Sequence, residues 1–111
     1  MLALAQVAEE YQTWALCERL CQESIQEASR DLERAATLAR VAVEVAAHVD
    51  GPEEWLNRLR GYAAAHEANV LKAAGEEEAA ETRLDEARRL WQAGADPAGM
   101  LEPGDLFGPA R

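Results

Sequence analysis

The stretch ANVLKAAGEEEAAETRLDEARRL, Ala68 to Leu90, decides the fold. It contains no proline and is rich in good helix formers, yet Gly75 followed by Glu76, Glu77 and Glu78 interrupts it. One unbroken acidic helix would say little about function, whereas two helices joined at Gly75 make a hairpin. The hairpin is the expected reading. Glycine adopts the left-handed backbone that closes a helix, and glutamates placed just after it meet the positive end of the next helix dipole.

Upstream, HVDGPEEW marks the start of the helix that Gly75 ends. Asp50 and Gly51 permit a turn, Pro52 suits a first helical position because its missing N–H would have no partner there, and Glu53 and Glu54 favour the dipole. The expected buried face is Trp55, Leu56, Leu59, Tyr62, Ala63, His66, Val70 and Ala73, with Gly61 tolerated at a cost in helix propensity. Downstream, Ala79, Ala80, Leu84, Ala87, Leu90 and Trp91 should face inward as far as Gly94, with Asp85 and Arg89 an outward i,i+4 pair.

Further out, Val7, Tyr11, Trp14, Cys17, Cys21, Ile25 and Ala28 recur in steps of three or four, one face of a first helix from about Leu2 to Ala28. Ser29 and Asp31 are candidate caps for a second helix, whose stripe is Leu32, Ala35, Leu38, Ala39, Ala42, Val45, Ala46 and Val49. The fold class is therefore all-α: four main helices in two antiparallel pairs, residues 1–93, followed by a Pro/Gly-rich tail, 94–111. That tail holds four of the seven glycines and three of the four prolines, so it should be irregular. Its Met100, Leu101, Leu106 and Phe107 are apolar enough to dock on a helical face.

A chain of 111 residues fits one domain. Its formal net charge of −10 repels phosphates and anionic membrane surfaces, and no run of Lys or Arg exceeds two, which weighs against nucleic acid as a partner. The N-terminal MLALAQVAEEYQ has neither a basic leader nor a long apolar run, so a cytoplasmic location without membrane contact is expected. Cys17 and Cys21, one helical turn apart, read as small buried groups rather than a disulfide. Lys72 is the single lysine among eleven basic residues, a bias towards arginine in keeping with a GC-rich bacterial source.

From Gly61 to Gly94 the pattern resembles the tetratricopeptide repeat (TPR). Ala68 and Leu71 stand where that family has a small and a bulky residue in its first helix. Gly75 falls at the turn, and Ala80, Leu84 and Ala87 follow at the intervals of the second helix. Small positions let helices approach closely and large ones fill the space between repeats. Ala64, Ala68 and Gln92 replace the family's usual tryptophan, glycine and proline. Ala35, Ala39 and Ala42 repeat the second-helix spacing in an earlier, weaker copy. An alanine-rich four-helix bundle would produce much of the same spacing.

The resemblance implies a noncatalytic protein-interaction module, an adaptor, scaffold or regulatory subunit whose partner is another protein or peptide. Its first helices would line the binding surface, with Tyr62, Asn69 and Lys72 presented from the third helix and Arg58 at its start. Asn69 stands out because an amide can hold a peptide backbone through one donor and one acceptor. Two repeats are fewer than such arrays usually need, so an uncovered apolar end would join a second copy or another protein.

Arg60 and His66, in RGYAAAH, have a spacing that resembles HEPN-type ribonucleases, which implies the alternative of a small helical nuclease assembled across two subunits. Six residues along a helix point about 120° apart, which a single helix does not converge. Cys17, Cys21, His48 and His66 form a zinc set only on paper, since no close second ligand pair follows the cysteines. Glu76, Glu77 and Glu78 are explained by the helix start alone. No phosphate loop or nucleophile motif occurs, and no cofactor is called for.

Overall fold

The computed structural model describes residues 2–96 together with 99, 101, 106 and 107, with side chains from Trp14 onward. Among them the chain is all-α and has no strand. The helices are α1, Leu2–Glu27, α2, Leu32–Ala47, α3, Glu53–Ala73, and α4, Glu77–Ala93. Val7 and Tyr11 of the expected first stripe lie outside the described side chains, as does Met100 outside the described residues.

Each break has a local cause. Asp31 caps α2 by accepting from the Arg34 N–H at 3.0 Å. Ser29 is an exposed turn residue instead. Pro52 stands one place before the helix rather than at its first position, and its carbonyl accepts the first α-helical bond, from Leu56 N–H at 3.0 Å. Gly75 has φ +84°, in the left-handed region. Two bonds close the turn around it, Gly75 N–H to Lys72 O at 3.1 Å and Glu76 N–H to Leu71 O at 2.9 Å. These are the two bonds of a Schellman motif, and they satisfy carbonyls that the helix end would otherwise leave bare.

α3 is the centre of the molecule. It packs against α4 most extensively, against α2, and to a lesser extent against α1, while α1 and α2 form the other hairpin. Among the described residues α4 touches no helix but α3, so the hairpins stack in an open row; a closed four-helix bundle would bring α4 against α1. Central placement buries α3 on more than one face. Gly61, Tyr62, Ala63, Ala64, Ala65 and His66 are consecutive buried residues, and Leu59 is wholly enclosed. Such a side chain contributes on the order of 2 kcal/mol by leaving water. Gly61 has a packing reason: a Cβ there would stand 2.8 Å from Trp91 N and 2.9 Å from Ala87 O, so its absence lets α3 and α4 approach backbone to backbone.

The other hairpin is closed by small side chains. Cys17 and Cys21 are fully buried free thiols against an alanine-rich α2, as the sequence indicates. Ser24 is buried beside them and donates to Ala35 O at 2.8 Å. Ile25, expected inward, is 57% exposed, because it sits on a shoulder of the stripe that α2 does not reach. Ala73 and Ala79 are likewise exposed, on either side of the Gly75 turn. Asp85 pairs with Arg88 at 3.7 Å rather than with Arg89, which turns its Nε to the Asp85 carbonyl at 3.4 Å.

The tail docks. Leu101 and Leu106 are buried in the main core, and Phe107 lies 4.9 Å from Trp91 between ring centroids. Leu101 N–H donates to Asp96 Oδ2 at 2.8 Å, and Arg88 Nη2 donates to Phe107 O at 3.1 Å. No helix among the described residues is long and apolar enough to cross a membrane.

Candidate functional site

A groove of about 640 Å³ lies between the second half of α3 and α4. α3 contributes Ala68, Asn69 and Lys72, which recur at one and four residues and so lie along one side of the helix. α4 contributes Ala80 and Leu84 to the floor, and Glu77, Glu81 and Asp85 to the wall. Arg88 and Leu106 close one end. The groove exists because Ala68 and Ala80, both buried, carry only methyl groups where the helices meet. Its chemistry is an apolar floor between polar walls.

Two of the four residues expected to bind a partner line this groove, Asn69 and Lys72, and both are exposed. The other two are elsewhere. Tyr62 is 2% exposed, with its ring edge-on to His66 at 4.7 Å, so it is a core residue and not a surface one. Burial foremost, and then the neighbouring Cys21, Glu18 and Cys17 of α1, raise its phenol above the ordinary range. The part of the expected surface around Tyr62 faces α1. Arg58 sits near the opposite end of α3, with its guanidinium 4.2 Å from the Trp91 ring centre, a cation–π contact. Its Nε is buried and has no hydrogen-bond partner among the described residues.

Arg60 and His66 lie about 9 Å apart along the axis of α3. His66 is 4% exposed, and burial lowers its pKa to about 4, so the imidazole is neutral at neutral pH. Cys17 Sγ donates to Ala42 O at 3.4 Å. A hydrogen bond with Cys17 and then burial raise the Cys21 thiol, which holds it protonated. His48 is exposed at the end of α2, with Nδ1 2.8 Å from Glu44 O. Among the described residues no three His, Cys, Asp or Glu side chains are grouped so as to hold a metal ion.

A second, shallower depression of about 500 Å³ lies beyond the Gly75 turn, lined in part by Leu71, Thr82 and Arg83. Arg83 is already engaged with Glu67 and, at 3.0 Å, with Glu86, so this surface is self-satisfied. Sequence reasoning missed the acidic wall of the groove; it anticipated that Leu106 docks on a helical face but not that it closes this groove. The wall had a usable signal, the i, i+4, i+8 spacing of Glu77, Glu81 and Asp85; the apolar residues of the tail signalled docking but not its place. No family model matches this chain, and neither a curated protein nor a solved structure matches it.

Proposed function

We propose that this chain is a noncatalytic, TPR-like protein-interaction module that holds a segment of another protein in the groove between α3 and α4. The observation that supports it is the groove itself, with small residues on its floor and Asn69 and Lys72 exposed on one wall. An exposed amide beside an apolar floor can exchange hydrogen bonds with polar groups of a docked segment while its apolar side chains meet the floor. The open row of hairpins agrees with this reading, because it leaves α4 with α3 as its one helix neighbour among the described residues. The ribonuclease alternative has no such support: His66, its acid–base residue, is enclosed by protein.

Site-specific crosslinking tests the reading. A photoreactive phenylalanine analogue at Asn69 should give an adduct with another protein in lysate of the source cells, competed by excess unmodified chain. The same group at Val41, exposed on α2, should not. Equal labelling from both positions, or none from Asn69, overturns it. RNA cleavage by the wild-type chain that is lost in His66→Gln would instead favour the enzyme.

A further inference from the structure

Three carboxylates stand along the wall that α4 gives to the groove. Glu77, Glu81 and Asp85 are each four residues apart, so they share one ridge with about 6 Å of rise between neighbours. All three are exposed. Among the described residues Glu77 and Glu81 have no ion-pair partner, and Asp85 has Arg88 at 3.7 Å. Beside them the floor offers buried Ala80, which admits close approach, and half-buried Leu84, which offers apolar contact. Lys72 stands on the opposite wall.

We infer that the groove takes an amphipathic helix of another protein whose apolar stripe is flanked on one side by Lys or Arg, and this rests on the docking reading above. A helix laid along α4 presents side chains at the same one-turn repeat, so cations at i, i+4 and i+8 meet Glu77, Glu81 and Asp85 in register while apolar groups meet Ala80 and Leu84. Lys72 repels cations from the other wall, so the basic flank has one permitted side and the rotation of the bound helix is fixed. The formal net charge of −10 acts in the same direction at longer range. It draws a cationic segment towards the chain and opposes a second copy carrying the same charge.

The test is fluorescence anisotropy with the full chain and two labelled synthetic peptides of about 18 residues, long enough for five helical turns. Both carry the same Leu/Ala stripe; one has Lys at i, i+4 and i+8 beside it, the other Glu. The Lys peptide should bind at least about tenfold more tightly, and more weakly as salt rises from about 0.05 to about 0.5 M. Combining Glu77→Gln, Glu81→Gln and Asp85→Asn should lower its affinity about tenfold and flatten the salt dependence, with helicity by circular dichroism unchanged. Combining Glu33→Gln, Glu44→Gln and Asp50→Asn, exposed positions away from the groove, changes net charge equally and should leave most of the affinity.

Equal binding of both peptides, no binding of the Lys peptide, or equal losses from the two sets of neutralisations would overturn the inference. If the Lys peptide fails while Asn69 still crosslinks a protein, the basic helix alone is wrong. If both fail, the docking reading falls with it.

Discussion

The two hairpins meet the same demand, two helices held side by side, with different groups at the contact. In α3–α4 the backbones themselves touch: the position a Cβ of Gly61 would take is 2.8 Å from Trp91 N. In α1–α2 the contact runs through side chains, with Cys17 and Ser24 donating to the carbonyls of Ala42 and Ala35. A separation set by backbone contact has nothing that can move aside, whereas one set by thiols and methyl groups can adjust by rotamer changes and small shifts. The stiffer hairpin is also the one that carries the groove and the docked tail. A rigid wall suits recognition, because less order is lost on binding.

The sharpest way to break this comparison is to insert the same side chain into each contact. Gly61→Val should cost about 3 kcal/mol, since its Cβ meets backbone atoms that cannot rotate away. Ala42→Val, at a fully buried site in the other hairpin, should cost about 1 to 2 kcal/mol because the neighbouring thiol can shift. Urea denaturation of both variants reads the difference. Equal costs would mean that the two contacts are equally tight and that the contrast is only one of residue type.

A second effect separates the hairpins by pH. His66 is buried in α3 with its pKa lowered to about 4, against 6.5 for an ordinary histidine. Between those values the unfolded chain binds the additional proton, so stability falls as pH drops from 6.5 towards 4 and this contribution levels off below. The full difference is roughly 3 to 4 kcal/mol at about 1.4 kcal/mol per unit. His66→Gln should be less stable at neutral pH yet lose this part of the slope, seen as the difference between wild-type and variant curves from pH 7 to about 4. His48→Gln, at an exposed position closing α2, is the matched substitution in the other hairpin. Parallel wild-type and His66→Gln curves would show that the imidazole is hydrated in the folded chain.

What could be read from the sequence follows how local its cause is. Asp31, Gly51, Pro52 and Gly75 act on the backbone beside them, so the four helices and their ends were legible to within a residue or two. Asn69 and Lys72 were legible as neighbours for the same reason, three residues apart on one helix. Tyr62 carried two expectations, a place on the buried face of α3 and a place on the partner-binding surface; its helical period pointed to the first, which its 2% exposure bears out, and Cys17, Glu18 and Cys21 of α1 stand near it. Ile25 failed in the opposite sense, being in phase with the stripe but beyond the reach of α2. That Leu106 and Phe107 dock was legible from their apolar character, but where they dock was not, since that depends on where Trp91 and Arg88 present a ring and a donor.

The smallest effects lie in the turns, where the two hairpins again differ. The first is held by a side chain, Asp31 accepting from Arg34 N–H, and the second by a backbone conformation, Gly75 at φ +84°. Asp31→Ala removes an exposed cap and should cost about 1 kcal/mol. Gly75→Ala meets no atom within 4 Å, so its cost is conformational alone, about 1 to 1.5 kcal/mol. Alanine therefore weakens both turns to a similar degree, and the substitution that tells them apart is asparagine. At 31 its carbonyl oxygen replaces the carboxylate as acceptor and should restore nearly all the stability. At 75 it can only reduce the left-handed penalty, because Asn tolerates that region better than Ala yet less freely than Gly. Thermal melts of the four single variants should thus show near-complete rescue at 31 and partial rescue at 75. Complete rescue at 75 would mean the turn relaxes out of the left-handed region, and that the rigidity of the second hairpin does not extend to its closing loop.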